Sequence, residues 1–322
     1  MKKSIRWEGY SLSPTLTVFT PTYNRAYSLH LCYESLLRQT SKEFKWLIID
    51  DGSTDTTKQL VEKWVTEAPF EIEYVYQENQ GMHGAHNTAY EHINTELNVC
   101  IDSDDYMADD AVEKIVRFWR KYGSEKYSGI VALDATTDNQ ILGSRLPEEI
   151  TSSTLFDLYQ KQGVTGDKKL IYRTELTKQY PYPLFENEKY VGLTYKYFKI
   201  DQQYELLVMN EIVCYVEYLP DGSSLNMYKQ YRNNPQGFSF FRKELMKLPF
   251  GSTIYKFRQA IHYVSSSLMM KNKRLVKDSP KKLLTLYALP FGYILFLLIL
   301  YKTKTEKIVA TVQQGERKGF NQ

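Results

Sequence analysis

The sequence predicts an α/β fold in which a mostly parallel sheet is flanked by helices. Short apolar runs alternate with segments of helical apolar spacing, giving four β-α units in about a hundred residues. Each apolar run ends in polar or glycine-containing residues, as expected where parallel strands reach a common edge. The chain has 322 residues and 43% hydrophobic content, which is enough for a sizeable core.

The apolar runs define the predicted strands in order. The first four cover residues 16–19, 44–49, 72–76 and 97–101. Leucine, valine and tryptophan at helical spacing follow the first two runs, so a helix is expected after each. Further strands are predicted at 129–133, 170–174 and 212–216. The stretch from 135 to 170 is polar and rich in turn residues, and no element is assigned to it.

The most informative motif is the acidic run Asp102-Ser103-Asp104-Asp105, which closes the fourth predicted strand. Ligands of open α/β sheets bind outside this end of the strands. Carboxylates one residue apart suit a hard divalent cation that keeps waters and shares phosphate oxygens. Asp102 and Asp104 therefore predict a site for Mg²⁺ or Mn²⁺, although ordinary surface turns contain the same pattern.

Four motifs follow the four strands in order. They are Thr20-Pro21-Thr22-Tyr23-Asn24-Arg25, Asp50-Asp51-Gly52-Ser53-Thr54-Asp55, Asn79-Gln80-Gly81 through Asn87, and the acidic run. Helix capping can explain any one of these loops, but not polar residues at four successive strand ends. Together the motifs resemble the nucleotide-sugar-binding half of family 2 glycosyltransferases with a GT-A fold. The resemblance is strong over residues 14–120 and weaker beyond.

The resemblance implies a role for each matching position. The Thr20-Pro21 loop and Asp51 would hold the nucleoside, with Asp51 reaching the base. Asp102 would face the ribose or the metal, and Asp104 would ligate a Mg²⁺ or Mn²⁺ that bridges the diphosphate. The implied donor-binding set is Thr20, Pro21, Tyr23, Asn24, Arg25, Asp50, Asp51, Gly81, Gly84, Asn87, Asp102 and Ser103.

The general base is the next expectation from the resemblance. In many polysaccharide-assembling members an acidic residue follows a Lys-aromatic-Val step, but here Gly192-Leu193 stands at that place. Glu188 is the preferred base and Glu186 the second choice. Both glutamates could equally be solvated charges beside Lys189.

The expected function is metal-dependent, inverting transfer from a nucleoside-diphosphate sugar, UDP-linked, to a saccharide or lipid-linked acceptor. Residues 1–225 would form the GT-A domain, with a nucleotide-sugar half at 14–120 and an acceptor half at 121–225, and residues 226–322 a helical, membrane-associating region. A non-catalytic sugar-nucleotide-binding or scaffold protein is an alternative, kept open by Gly192-Leu193. A nucleotidyltransferase should carry a glycine-rich triphosphate loop, which residues 20–25 lack.

A long apolar run near the C-terminus indicates a membrane partner. Residues 283–301 contain no charge, and lysines and one arginine precede and follow them. Their length meets the lower limit for a membrane span. Pro290 and Gly292 interrupt the run and both flanks are basic, which favours a peripheral or re-entrant element on the cytoplasmic face of the membrane. A helix that spans the membrane and a helix buried in the protein core are the two alternatives for this run.

Charge and cysteine content exclude other classes. The formal net charge of +3 is too small to indicate a nucleic-acid partner. The lysines at positions 2 and 3 have no apolar run behind them, so no secretory signal is expected. Cys32, Cys100 and Cys214 lack metal-binding spacing and are expected to be reduced core residues.

Overall fold

A computed structural model of the protein describes residues 14–216 and 227–319, with side chains up to residue 304. The chain divides into two compact units. One consists, within the described residues, of 14–182 and 196–216, and the other of 183–195 and 227–319. Residues 183–195 thus group with the C-terminal helices rather than with the first half. The expected boundary at 225 lies outside the described residues, so the predicted domain limits stay a prediction.

The described part of the first unit contains a mixed sheet of nine strands. They are β1 (Leu16–Thr22), β2 (Phe44–Asp50), β3 (Ile72–Tyr76), β4 (Leu97–Cys100), β5 (Tyr106–Met107), β6 (Tyr127–Ala135), β7 (Ser152–Ser153), β8 (Lys168–Arg173) and β9 (Glu205–Tyr215). Their order is β3-β2-β1-β4-β8-β6-β9-β5, with β7 beside β9. The first four strands are mutually parallel, whereas β8 runs antiparallel to both β4 and β6.

Seven helices accompany the sheet in the described chain. They are α1 (His30–Leu37), α2 (Thr57–Glu67), α3 (Met82–His92), α4 (Ala111–Tyr122), α5 (Leu155–Gln160), α6 (Thr174–Lys178) and α7 (Thr194–Ile200). The main core packs α1, α2 and α4 against one face of the sheet through Tyr33, Trp46, Trp64 and Ile115. Every residue of β1 and β2 is buried, as expected for parallel strands covered on both faces.

Between residues 227 and 319 the second unit is mainly helical. It contains α8 (Met227–Asn233), α9 (Pro235–Lys247), α10 (Thr253–Met269) and α11 (Lys282–Gly319). Its small apolar core includes Tyr263 and Val264 of α10 and Ala288 of α11. A Cβ on Gly292 would lie 2.5 Å from the Val264 side chain, so glycine allows α11 to approach α10 closely.

The structure departs from the predicted elements at several places, and the strand expected at 212–216 begins already at Glu205 in β9. The first strand continues through Pro21 to Thr22, because the fixed φ of proline is compatible with an extended strand end. Residues 82–87, interpreted as part of a loop, form the first turns of α3. The unassigned stretch contains α5 and the short β7. These short elements have too few residues to give a periodic signal.

Candidate active site

The candidate active site lies where four neighbouring strands end. β3, β2, β1 and β4 are adjacent and parallel, so the loops that follow them meet at one edge of the sheet. All four sequence motifs follow these strands. This is the position at which open α/β sheets bind their ligands.

Asn24 joins the loop after β1 to the loop after β2. Its Oδ1 accepts hydrogen bonds from the backbone N–H groups of Thr54 (2.8 Å) and Asp55 (3.3 Å). Its own backbone N–H donates to Ser53 Oγ (2.8 Å). The φ angle of Asn24 is 53°, in the left-handed region that asparagine adopts more readily than most residues. Asn24 therefore fixes the shape of these two loops.

Asp50 is buried at the end of β2 and binds protein groups on both carboxylate oxygens. Oδ1 accepts the backbone N–H of Ser53 (2.7 Å), and Oδ2 accepts the hydroxyl of Tyr74 (2.6 Å). Burial, together with the nearby Asp50 carboxylate, raises the pKa of Tyr74, so that its hydroxyl remains a donor. The contacts give Asp50 a role in holding the loop after β2.

Asp51 holds the loop after β3. Oδ1 accepts hydrogen bonds from Gln80 N–H (2.8 Å) and from Gln77 Nε2 (2.6 Å), and Oδ2 accepts Gly81 N–H (2.8 Å). The backbone N–H of Asp51 donates to the carbonyl of Thr22 (2.8 Å). These bonds position the loop that leads into α3. The implied contact of Asp51 with a nucleobase stays a prediction.

Two buried polar atoms beside Asp51 have no hydrogen-bond partner among the described residues. They are Oγ1 of Thr22 and Oε1 of Gln77. Buried polar side-chain atoms are usually paired, and an exception needs an explanation. A polar ligand at this edge of the sheet would be able to supply partners for both atoms.

The other predicted residues of the first motif differ in exposure. Thr20 and Pro21 belong to β1 and are buried, and Thr20 Oγ1 accepts a hydrogen bond from Trp46 Nε1 (3.0 Å). Tyr23 has 49% of its surface exposed, and Arg25 is half-buried. The side chains of Tyr23 and Arg25 are thus better placed to meet a ligand than that of Thr20.

The third motif opens α3 rather than forming a loop throughout. Gly81 has a φ of 81°, a conformation that favours glycine, and it directly precedes the helix. Gly84 and Asn87 lie within α3, which corrects their assignment to a loop. The Asn87 amide donates to the Tyr182 carbonyl (2.8 Å) and accepts the Tyr182 N–H (2.9 Å). Asn87 therefore anchors a backbone segment of the first unit.

The acidic run forms a tight turn between β4 and β5. The backbone N–H of Asp105 donates to the Asp102 carbonyl (3.0 Å). Cys32 Sγ donates to the carbonyls of Asp102 (3.2 Å) and Asp105 (3.0 Å). Burial first, and then the neighbouring carboxylates, raise the pKa of Cys32, which keeps the thiol protonated. Asp102 is exposed, Asp104 is half-buried, and Ser103 is buried.

A buried lysine lies behind the acidic turn. Lys169 Nζ is 3.9 Å from Asp105 Oδ2 and 3.7 Å from Asp134 Oδ1. Burial raises the pKa of Asp105 to about 8 and that of Asp134 to about 6, while the Lys169 charge opposes both shifts. Burial also acts to lower the pKa of Lys169, but the surrounding carboxylates outweigh it and raise the pKa. One ammonium thus stabilises two buried acids, Asp105 of the turn and Asp134 at the end of β6.

The acidic turn fits a divalent cation only in part. Within the described residues, no group of three or more His, Cys, Asp or Glu side chains could hold a metal ion by itself. Asp102 and Asp104 supply carboxylate oxygens, the ligands that Mg²⁺ and Mn²⁺ prefer, and such ions usually complete their shell with waters and substrate phosphates. The residues present therefore fit a cation that arrives with a diphosphate.

The two predicted bases belong to the second unit. Glu188 is buried, and its two oxygens accept the backbone N–H groups of Gln236 (2.9 Å) and Gly237 (2.8 Å) at the start of α9. Asn234 Oδ1 in turn accepts the Lys189 N–H (2.7 Å). Glu188 therefore caps α9, whereas Glu186 is exposed.

Comparison with known proteins supports the sequence resemblance. The family model described as glycosyl transferase family 2 matches residues 17–180, just over half of the chain. The chain belongs to glycosyl transferase family 2. Its mixed sheet, flanked by helices and carrying the four motifs at one edge, is the GT-A fold that the sequence indicated.

The relatives of this family 2 member include enzymes of polysaccharide synthesis. Glycosyltransferase GlyA of Streptococcus pneumoniae is 29% identical over 153 residues, which are 46% of this chain and 22% of the relative. Chondroitin synthase of Escherichia coli is 33% identical over 108 residues, 34% of this chain and 16% of the relative. The chain thus matches less than a quarter of the length of these two proteins.

Solved structures share the fold along nearly the whole chain. TarS 1-349 of S. aureus gives a TM-score of 0.59 at 17% identity and covers 91% of this chain and 92% of its own. The same TarS fragment in complex with UDP-GlcNAc gives 0.58 at 19% identity, covering 86% and 80%. A mannosyltransferase of Pyrobaculum calidifontis in complex with GDP-Man and Mn²⁺ gives 0.52 at 17% identity, covering 97% and 82%.

Several residues of this family 2 site were not identified from the sequence. Lys169 lies in the stretch without an assigned element, and Asp134 follows a predicted strand without any motif. Cys32 was expected only as a reduced core residue, and the structure places it in the core. No local pattern indicates that these three side chains meet the acidic turn, because the contacts join residues far apart in the chain.

Proposed function

We propose that this protein transfers a sugar from a nucleoside-diphosphate sugar, UDP-linked, to a saccharide or lipid-linked acceptor in cell-surface polysaccharide synthesis. The family assignment supports glycosyl transfer. The naming of UDP-GlcNAc in one TarS complex supports a UDP-linked donor. The cytoplasmic face of the membrane is the proposed place of action, supported by the apolar C-terminal helix.

One observation carries this proposal. The acidic turn ends β4 at the same sheet edge where Asp51 and Asn24 hold the loops of the three neighbouring strands. The carboxylates of Asp102 and Asp104, which suit a cation-bound diphosphate, therefore lie at this edge of the sheet. The unpaired polar atoms of Thr22 and Gln77 lie at the same edge. A nucleoside diphosphate matches both features of this edge. Its base and ribose offer hydrogen bonds to the unpaired polar atoms, and its diphosphate needs the positive charge of a cation held by the acidic turn.

The proposed reaction is a single displacement at the anomeric carbon. A base removes the proton of an acceptor hydroxyl, and the oxygen forms a bond to the anomeric carbon from the side opposite the diphosphate. The bond between that carbon and the phosphate oxygen breaks, and the diphosphate leaves with the electron pair. The configuration at the anomeric carbon is inverted.

Asp104, with Asp102, would hold the Mg²⁺ or Mn²⁺. When bound, this cation supplies positive charge for the departing diphosphate, a form of electrostatic stabilisation worth several kcal/mol in metalloenzymes. The residues of this chain position the leaving group, because Cys32 and the Asp105 N–H fix the turn on which both carboxylates stand.

The contacts of the second unit change the order of the two proposed bases. Both oxygens of Glu188 already accept backbone hydrogen bonds from α9. A base must reach the acceptor hydroxyl, so the exposed Glu186 is the better candidate. We therefore propose Glu186 as the base and Glu188 as a structural residue that holds the segment carrying it.

Titration calorimetry with UDP tests the donor site. Wild type and Asp104→Ala would be titrated with UDP in the presence and absence of Mn²⁺. Asp109→Ala is the matched control, since Asp109 is exposed beyond β5 and pairs with Arg38 (2.9 Å). We expect metal-dependent binding in wild type and in the control, and its loss in Asp104→Ala.

The other outcomes are informative. UDP binding that is unchanged by Mn²⁺ and by Asp104→Ala would show that the role proposed for Asp104 is wrong. Complete absence of UDP binding in wild type would overturn the UDP-linked donor and direct the titration to other nucleotides. UDP-sugar binding without hydrolysis or transfer to any acceptor would favour the non-catalytic alternative.

A further inference from the structure

The long helix α11 of the second unit has an unusual distribution of side chains. Its inward side is formed by small or polar residues, namely Thr285, Ala288, Gly292 and Thr303, together with Ile299, which are buried. These positions recur at helical spacing and lie on one side. The side that faces solvent in an ordinary helix of a soluble protein is polar. In α11 it is apolar.

We name the exposed side the α11 outer stripe. It consists of Leu283, Tyr287, Phe291, Ile294, Leu298 and Tyr301, spaced by three or four residues along the helix. Leu283, Tyr287 and Tyr301 have 75%, 71% and 68% of their surfaces exposed. No charged residue lies between Leu283 and Tyr301. A continuous apolar patch of this kind marks an interaction surface.

Exposed cations stand at both ends of the stripe. Before it, the stretch 271–282 contains six basic residues, Lys271, Lys273, Arg274, Lys277, Lys281 and Lys282, all of them exposed, against one acid, Asp278. After it come Lys302 and Lys304, also exposed. An apolar stripe with cations at both ends complements a bilayer that contains anionic lipid, because cations near such a surface are attracted to it.

The contacts of α11 favour an orientation along the membrane surface rather than across it. Gly292 packs on Val264 of α10, and Thr303 Oγ1 accepts a hydrogen bond from Arg232 Nη1 of α8 (2.7 Å). These two contacts lie 11 residues apart on α11, about 16 Å at the rise of an α-helix, so the inward side is held at two separate points. A spanning α11 would draw α10, with the half-buried Lys256 and exposed Arg258, into the hydrocarbon layer.

The aromatic residues agree with this orientation. Tyr287, Tyr293 and Tyr301 are all exposed, at 71%, 53% and 68%. Tyrosine prefers the boundary between headgroups and acyl chains, where its ring is buried and its hydroxyl stays hydrated. Tyr293 lies close to the middle of the apolar run 283–301. A spanning helix would place this tyrosine in the centre of the bilayer.

We infer that the α11 outer stripe inserts into the surface of an anionic lipid bilayer, with the helix parallel to the membrane plane and its flanking lysines among the headgroups. The inference deepens the proposed function, because a lipid-linked acceptor would be met at such a surface. The partner is the bilayer itself; a second copy of the chain covering the stripe is the competing occupant, to be decided by the test.

Vesicle co-sedimentation of the full chain tests the inference. Vesicles of phosphatidylcholine alone would be compared with an equal mixture of phosphatidylcholine and phosphatidylglycerol. The stripe variant is Ile294→Asp, and its matched control is Ile254→Asp, an equally exposed isoleucine (69%) on α10 outside the stripe. We expect binding to the mixed vesicles to fall at least about tenfold in the stripe variant only.

A charge variant and a depth measurement complete the design. Lys281→Gln with Lys282→Gln should lower the partition coefficient about fivefold per lysine on anionic vesicles. Tryptophan introduced at 287, 294 or 301 should be quenched to the same degree by lipids brominated at one depth. Deepest quenching at 294 alone, with resistance to alkaline extraction, would overturn the orientation in favour of a span.

Two further outcomes would overturn the inference. Equal binding of wild type and both aspartate variants would show that the stripe does not contact lipid. A dimer in solution that Ile294→Asp converts to monomer, without vesicle binding, would assign the stripe to a second copy. UDP titration of the same variants separates this inference from the proposed function, because the stripe lies outside the donor-binding residues.

Discussion

Lys169 shows at the residue scale how a single charge can hold the acidic turn. Its ammonium lies within 4 Å of the carboxylates of Asp105 and Asp134, and all three side chains are buried. A carboxylate taken out of water without a partner is costly, so burial raises the pKa of both acids, and the Lys169 charge offsets part of that cost. The lysine therefore links β8 to the turn that carries Asp102 and Asp104.

Removing the Lys169 charge should both destabilise the first unit and loosen the acidic turn. We expect Lys169→Met to lower the free energy of unfolding by about 3 kcal/mol, since one removed partner leaves buried acids uncompensated. The Mn²⁺ concentration needed for half-maximal UDP binding should rise. Denaturant titration and calorimetry would measure the two effects.

A second substitution provides the control. Asp134→Asn in the Lys169→Met background removes one of the two buried charges and should recover part of the lost stability. If the double variant is no more stable than Lys169→Met, the two side chains are not coupled and the proposed role of the lysine is wrong.

At the scale of single elements, α9 depends on a residue outside its own sequence. Its first turn offers backbone N–H groups that lack intrahelical partners, and the carboxylate of Glu188 satisfies those of Gln236 and Gly237. A negative charge at this end also interacts favourably with the helix dipole. The Glu188 segment is thereby joined to the C-terminal helices.

Substitutions of Glu186 and Glu188 should have different effects, one on the rate of sugar transfer and the other on the free energy of unfolding. Glu188→Gln replaces one acceptor oxygen by a donor that faces a backbone N–H, so we expect a loss of about 1–2 kcal/mol in unfolding free energy. Glu186→Gln should change stability by less than about 0.5 kcal/mol. If Glu186 is the base, kcat for sugar transfer should fall about 10²–10⁴-fold in that variant alone.

The reverse pattern of effects would contradict this assignment of the two glutamates. A large loss of kcat in Glu188→Gln at unchanged stability, with Glu186→Gln active, would restore Glu188 as the base. Donor-sugar transfer assays and thermal unfolding of the same preparations give the answer.

At the scale of the whole molecule, buried acids make stability depend on pH. Asp201 is 5% exposed and accepts the backbone N–H groups of Leu155 (3.2 Å) and Phe156 (2.8 Å). Burial raises its pKa to about 7, although these two hydrogen bonds oppose the shift. The folded chain therefore retains a proton that the unfolded chain, with a carboxyl pKa near 3.8, has already lost.

The sign of the effect follows from proton linkage. Between pH 4 and about 7 the folded state binds more protons at this site than the unfolded state, so the Asp201 contribution to stability decreases as pH rises. We expect Asp201→Asn, which does not titrate, to remove that part of the decline. Unfolding free energies of wild type and variant at intervals from pH 4 to 8 would measure it, and parallel profiles would contradict the assignment.

The sequence by itself determined the local parts of this protein. It predicted the four parallel strands, the later strands at 129–133 and 170–174, and the family, because apolar runs and strand-end motifs are properties of short segments. It also indicated the apolar C-terminal helix, which by length and composition could cross a membrane.

Only the tertiary structure decided what these parts contact. The sequence did not reveal that Asp51 holds the loop after β3, that Glu188 caps α9, or that Lys169 lies behind the acidic turn. Each of these contacts joins residues about 30 to 70 positions apart, and chain folding, not local propensity, brings them together. The same holds for α11, whose outer stripe is defined by the side that α10 leaves exposed.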